Sequence, residues 1–566
     1  MVKLIIYRSL YLIALFGVLI NQSGCEHKEI DSGPYLEAAR RFADTVVEQG
    51  RDRYGEQHTP LFVDGLQIDS LAPATWKGKH GETWVLSNFS SQQPLMRLLD
   101  GLSALTGDDE YRLAAEKAAG YVLANCRTPN GLLYWGGHCA WDLILDNNFG
   151  EYKSPIHEVK SFQPYFRLLW RVDPTAARKL LETIWGGHIL DWSRIDYNRH
   201  SFTTKASAPQ WDHEYLHDIE VPWPTDGANL SFCNVSPTLL HSGYTLALLG
   251  NDDNALTWSR RLVLRWQQAR HPKTGLCGGQ LSYRQRDRAQ IALGHVHPDI
   301  NEARIVASYH QTSRYHKLPL SQLQAAEYLR EAGGKYAIMG EELVDWASGD
   351  LKTYAEYCYD ATEGVFVALM TDGTPIKGQE SNVGYYEPKS FAPKNPDGFL
   401  LWGYAMAYRL TGDESHWAML NSICGNLGLG DIGNPDGTNR TLTLETEHAE
   451  WQTIYALLEM YKATHDKEVL ELACLVANNL LAWQTDNGLF PRPGRNFART
   501  GDEVPLALLH LAAVIEGKSE LMPKPMHDNA FFHATYHGEL EPHARPLEQG
   551  EGNTRTYDWR VYYGPR

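Results

Sequence analysis

Four short polar breaks constrain this chain more than any other feature. Leu95, Leu98, Leu99, Leu102 and Leu105 recur at helical spacing up to Thr106-Gly107-Asp108-Asp109. Tyr111, Ala114, Ala115, Ala118 and Val122 then start a second apolar stripe, so the segment predicts a helical hairpin. The same punctuation returns at Leu249-Gly250-Asn251-Asp252, at Thr411-Gly412-Asp413 and at His465-Asp466. Where both residues occur, Gly closes one helix and Asp caps the next. A second phrase follows several of these pairs: Asn130-Gly131-Leu132, Thr274-Gly275-Leu276, Glu363-Gly364-Val365 and Asn487-Gly488-Leu489. These glycines are expected to turn the chain inward.

A repeated helix pair can bury its stripes in an open solenoid or in a closed ring of alternating inner and outer helices. The units here are irregular in length, and their Gly-Leu loops can converge on one cleft only if the ring closes. The expected fold class is therefore all-α: an α/α toroid with a few short strands and an extended C-terminal tail. With 566 residues, 43% of them hydrophobic, the chain has enough apolar surface for one large core. The boundaries expected are a signal peptide over 1–24, the ring over 25–516 and a C-terminal extension over 517–566 that wraps the domain.

Residues 1–24 carry Lys3 and Arg8, an apolar run over 10–20, and Ser23-Gly24 before Cys25. The run is shorter than the roughly 20 residues a spanning helix needs, so it reads as a cleaved export signal. Ser-Gly-Cys also matches the end of a bacterial lipobox, with Gln22 where that motif usually has Leu. The expectation is an exported protein, periplasmic or anchored to the membrane through lipidated Cys25. The eight cysteines show no C-x-x-C pair, which excludes a zinc ribbon and leaves buried free thiols as the expected state. A net charge of −17 has the wrong sign for gripping nucleic acid through an overall field. An anionic substrate would need locally gathered cations.

Trp135, Trp141, Trp170, Trp185, Trp192, Trp211 and Trp223 crowd into one irregular stretch. Flat rings with polar rims suit sugar faces, and they equally suit a core between helices. The same stretch holds Tyr134-Trp135-Gly136-Gly137-His138, then Ile156-His157-Glu158-Val159-Lys160, then Asp196-Tyr197-Asn198-Arg199-His200. These three segments form the candidate site. Spacing alone marks no ligand among 23 histidines, although Gly136 and Gly137 permit close backbone approach at His138. Asp142, Asp212 and Glu214 keep carboxylate chemistry open.

These residues resemble a known family. Tyr134 to His138, His157-Glu158-x-Lys160 with Tyr165 and Trp170-Arg171-Val172-Asp173-Pro174 behind it, and Arg199-His200 are similar to the family 2 polysaccharide lyases, bacterial pectate lyases. Leu429-Gly430-Asp431-Ile432 and Pro505-Leu506-Ala507-Leu508-Leu509-His510 extend the likeness over about residues 35 to 515. The resemblance implies β-elimination on polygalacturonate or oligogalacturonate. It further implies a divalent transition metal held by His138, Glu158 and His200, with Arg199 as the base. Two imidazoles and one carboxylate suit manganese, cobalt or nickel better than calcium, which prefers oxygen throughout. Lys160, Trp135, Arg288 and Arg492 are candidate substrate contacts. Competing readings are a toroidal glycoside hydrolase working with two carboxylates, a non-haem iron oxygenase, and a non-catalytic glycan-binding lipoprotein.

Overall fold

The computed structural model describes residues 30–77, 83–136, 139–150, 156–159, 163–202, 208–225, 230–284, 288–308, 314–527 and 562–563. Seven helices in these residues form an inner ring: Gln93–Thr106, Phe166–Val172, Ser236–Gly250, Arg314–Ala332, Gly398–Thr411, Trp451–Thr464 and Val504–Ile515. Seven others lie outside them: Gly33–Gln49, Asp109–Asn125, Pro174–His188, Asp253–Gln268, Gly334–Cys358, Glu414–Asn426 and Lys467–Leu481. Burial separates most of the two sets; Phe166–Val172, in which only Phe166, Leu168 and Leu169 are buried, is inner by its place in the alternation. Val504–Ile515 is buried at every position from Val504 to Ala513, whereas Asp109–Asn125 buries the single stripe Tyr111, Ala114, Ala115, Ala118, Ala119, Val122 and Leu123. A helix apolar all round has no face to give to water and must line the centre. The last inner helix packs on both the first outer and the first inner helix, so the ring is closed and the fold is an α/α toroid.

The polar breaks work as local stops and starts. Gly107, Asn251, Gly412 and His465 are left-handed C-caps. The carboxylates of Asp108, Asp252, Asp413 and Asp466 accept from backbone N–H groups in the first turn of the next helix. At 249–252 the cap falls on Asn251 rather than on Gly250, which ends the helix.

Loops from outer to inner helices gather at the other end of the ring and carry short strands, none longer than four residues among those described. Gly65–Gln67 pairs antiparallel with Phe497–Arg499, joining the first and last of these loops where the ring closes. At Gly131, φ is +102° and an added Cβ would lie 3.0 Å from Lys179 Cγ, so the inward turn there needs glycine.

The segment after the last inner helix departs from the expected surface wrap as far as it is described. Met522 lies against Gly101 and Leu509 of two inner helices. His527 is fully buried beside Gln163, Ser321 and Gln324, so 522–527 runs into the ring instead of over it. Tyr562–Tyr563 pairs with Trp76–Lys77; 528–561 lie outside the described residues, as does the expected signal with Cys25. No helix of the described residues is long and apolar enough to cross a membrane. The seven described cysteines are all buried free thiols.

Candidate active site

Two of the three predicted segments meet edge to edge. Ile156–Glu158 pairs antiparallel with His200–Phe202, and the register sets His200 directly opposite Glu158. Val159 N–H donates to Arg199 C=O at 2.9 Å, extending the ladder by one rung. Directly opposed residues in a ladder project to the same face. Glu158 Oε1 therefore lies 3.5 Å from His200 Nε2, and the Arg199 side chain, at the bend just before the strand, brings its Nε within 3.4 Å of the same oxygen. Arg199 Nε–H donates to His200 Nε2 at 3.2 Å, which makes that nitrogen the lone-pair bearer of the ring. The Glu158 side chain is 2% exposed and that of His200 29%, so the carboxylate forms the floor and the imidazole the open edge.

The first segment is set on the second. Gly136 N–H donates to Asn88 Oδ1 at 3.0 Å, and Asn88 Nδ2 donates to Gly136 C=O at 2.7 Å. Gly136 has φ +98°, and an added Cβ would stand 2.9 Å from the carbonyl oxygen of Glu158. Only glycine lets the two strands of backbone touch at this point. Gly137, His138 and Lys160 lie outside the described residues.

Behind the ladder sits a row of buried side chains that sequence reading missed. Trp135 Nε1–H donates to His157 Nε2 at 2.6 Å, and His157 Nδ1 bonds His188 Nε2 at 2.8 Å. His188 Nδ1 in turn bonds Asn198 C=O at 2.8 Å. Burial pushes the His188 imidazole down to about 4 and His157 well below its ordinary value, the latter with help from His188. His157 could have been read from its place beside Glu158. His188, at the end of an outer helix, and Asn88 had no sequence signal of their own.

Several expectations change here. Trp135, a candidate substrate contact, is fully buried and presents no face to a sugar. Trp141, Trp185, Trp192 and Trp223 are buried too, so most of the tryptophan cluster is core. Asp142 is buried, and its carboxylate accepts from Ile144 N–H and Leu145 N–H, closing a turn; Asp212 and Glu214 are exposed. Arg492 stands 3.4 Å from Asp502 and 3.2 Å from Glu503, which already engage its guanidinium. Arg288 opens the short helix Arg288–Leu293, and its side chain is not among those described. Burial pushes the thiol of Cys139, beside the site, up to about 12.

The two donors present fit one metal ion. Ligands about 2.0–2.2 Å from a common ion, at tetrahedral or octahedral angles, stand roughly 3.0–3.5 Å apart. Glu158 Oε1 and His200 Nε2 meet that spacing, and one supplies oxygen and the other nitrogen. Among the described residues no third His, Cys, Asp or Glu completes such a group. The position left to His138 lies beyond the described part of its segment.

A family model for periplasmic pectate lyases matches residues 59–535. The chain belongs to the periplasmic pectate lyase family. It is a polysaccharide lyase, and the family implies a polygalacturonate-type substrate and an exported enzyme. A pectate disaccharide-lyase of Dickeya dadantii strain 3937 is 27% identical over 530 residues, covering 89% of this chain and 92% of that protein. Among solved structures, cellobiose 2-epimerase of Bacillus thermoamylovorans B4167 aligns with a TM-score of 0.41 at 10% identity, over 86% of this chain and 100% of its own. A family 76 glycoside hydrolase (mannosidase) of Bacteroides thetaiotaomicron VPI-5482 aligns with a TM-score of 0.38 at 10% identity, over 86% and 99%. Membership of the pectate lyase family sets aside the non-catalytic binding protein and the oxygenase.

Proposed function

We propose that this pectate lyase cleaves polygalacturonate or oligogalacturonate by metal-assisted β-elimination, with His138, Glu158 and His200 as ligands of a divalent transition metal and Arg199 as the base. The observation that carries the reading is the convergence of the Glu158, His200 and Arg199 side chains at one end of one ladder, in a chain of this family. The relative's name, a lyase of pectate, supports the substrate class.

A uronate's C5 proton is weakly acidic, because its removal loads negative charge onto the adjoining carboxylate. When bound, the metal supplies Lewis-acid stabilisation of that charge. The ladder fixes the two strands that carry Glu158 and His200, and for His200 to ligate, its Nε2 would give up the Arg199 Nε–H that it accepts. Arg199 takes the C5 proton. The C5–H electron pair becomes the C4–C5 double bond, and the C4–O bond breaks with its electrons leaving on the glycosidic oxygen, which takes up, directly or through water, the proton that Arg199 removed. No water is consumed. Lys160 and Arg288 are assigned to contact substrate carboxylates, and Cys25 to anchor the exported chain.

Exhaustive chelation should abolish the rise in ultraviolet absorbance that unsaturated uronates give, and manganese, cobalt or nickel should restore it. Full activity after chelation, or better recovery with calcium, overturns the metal assignment. Chain cleavage without new absorbance would mean hydrolysis and overturn the elimination.

A further inference from the structure

We propose that His157 and His188 are positioning residues, two links of a buried hydrogen-bonded relay that fixes the three site segments relative to one another; the inference rests on the metal-assisted reading above. Trp135 starts the relay three residues before His138. His157 directly precedes Glu158 and, by strand alternation, points away from the site face into the core. His188 closes the helix Pro174–His188, and Asn198 directly precedes Arg199 and His200. Trp135, His157 and His188 are each 0% exposed.

The polarity of the relay is set by its ends. A backbone carbonyl can only accept, so His188 must carry its proton on Nδ1 toward Asn198 C=O. That leaves His188 Nε2 as a lone pair, and His157 Nδ1–H must donate to it. His157 Nε2 is then a lone pair as well, and the indole of Trp135, which can only donate, fills it. Every donor meets one acceptor with both imidazoles neutral, and no alternative arrangement satisfies the same atoms.

The relay also has a second hold on the third segment. Asn198 N–H donates to His188 C=O at 2.9 Å, and His200 N–H donates to Asn198 Oδ1 at 3.2 Å. A shift of either strand by even half an ångström would lengthen at least one of these bonds. Ligand sets need placement within about 0.5 Å, and partners that orient them typically change metal affinity 10–100-fold when removed. The row of side chains behind the ladder therefore sets the geometry of the row in front.

The experiment uses the full chain, stripped with chelator, and compares His188→Leu, His188→Gln and Trp135→Phe with the parent. Manganese affinity is read by calorimetry, and lyase kcat and KM at saturating metal. Leucine removes both bonds of His188. Glutamine offers an acceptor to His157 and a donor to Asn198, so it can rebuild them. His188→Leu should weaken manganese binding 10–100-fold with KM for substrate nearly unchanged, His188→Gln should recover to within about 5-fold, and Trp135→Phe should fall between. Parental metal affinity in His188→Leu, or equal losses in His188→Leu and His188→Gln, overturns the relay and leaves plain packing. If His188→Leu does not fold, Trp135→Phe decides by the same affinity. If the parent itself binds no metal, the metal reading fails separately. The relay then stands only if kcat drops at least 10-fold in His188→Leu and returns in His188→Gln, and it falls otherwise.

Discussion

In the proposed reaction Arg199 is the base, and it is an awkward one, since arginine ordinarily stays protonated far above neutral pH. Glu158, 3.4 Å from Arg199 Nε, favours the guanidinium, so the base role requires desolvation and the proposed divalent cation, both of which disfavour that charge, to outweigh it. The competing role is a clamp on the substrate carboxylate. Arg199→Lys separates them: lysine keeps a positive charge, loses the planar fork and reaches its neutral amine at lower pH. A base role predicts turnover reduced by about 10²–10⁴-fold, manganese retained, and an altered pH profile of kcat. A rise confined to KM with an unmoved profile would transfer the base role elsewhere. That Glu158, Arg199 and His200 come together was legible in the sequence because each stands in a short phrase. Trp135 was misread, because indole in a glycine-rich stretch serves a core as well as a cleft, and only burial tells them apart.

At the scale of elements, the hairpin breaks were legible because a left-handed cap and an Asp acceptor are decided within four residues. The strands were not. Each is two to four residues long, and several, such as Gly65–Gln67 with Phe497–Arg499 and Ile156–Glu158 with His200–Phe202, exist only because a partner from a distant segment completes the ladder. The inner helices are also stitched by charge: Arg409 pairs with Glu327 of one neighbouring inner helix and with Glu459 of the other. Lys462 adds a contact to Glu459 at 2.9 Å. Burial alone would raise the Glu459 carboxyl, yet Lys462 and Arg409 hold it down to about 2. Removing one member of a buried pair costs about 3–5 kcal/mol, and Arg409 keeps Glu327, so Glu459→Gln should cost near the lower figure. Chemical denaturation at pH 7 checks this. A loss below about 1 kcal/mol would mean that the charges do not hold these helices together.

For the molecule as a whole, the ring places titratable groups where little water reaches them, and this sets how it responds to acid. His241 and His510 lie on inner helices. Burial, with Arg97 nearby in both cases and Lys462 beside His510, depresses each imidazole to about 3. Unfolded histidine takes up a proton near pH 6.5. A depressed folded value means that the unfolded chain binds more protons below that point, so stability is fully present above about pH 6.5 and falls as pH drops toward 3. At pH 5 each such histidine removes about 2 kcal/mol relative to neutral pH. Glu459 acts in a lower window: its stabilisation is present above about pH 4.3 and is lost as pH falls through about 2. Because the last inner helix seals against the first, these losses bear on one closed core. The unfolding midpoint should therefore begin to fall near pH 6.5 and steepen below about 4.5, with Glu459→Gln flattening only the lower limb. Melting curves from pH 8 to 3 measure both limbs, and a midpoint unchanged between pH 7 and 5 would show that the central histidines gain access to water and protons without unfolding of the ring.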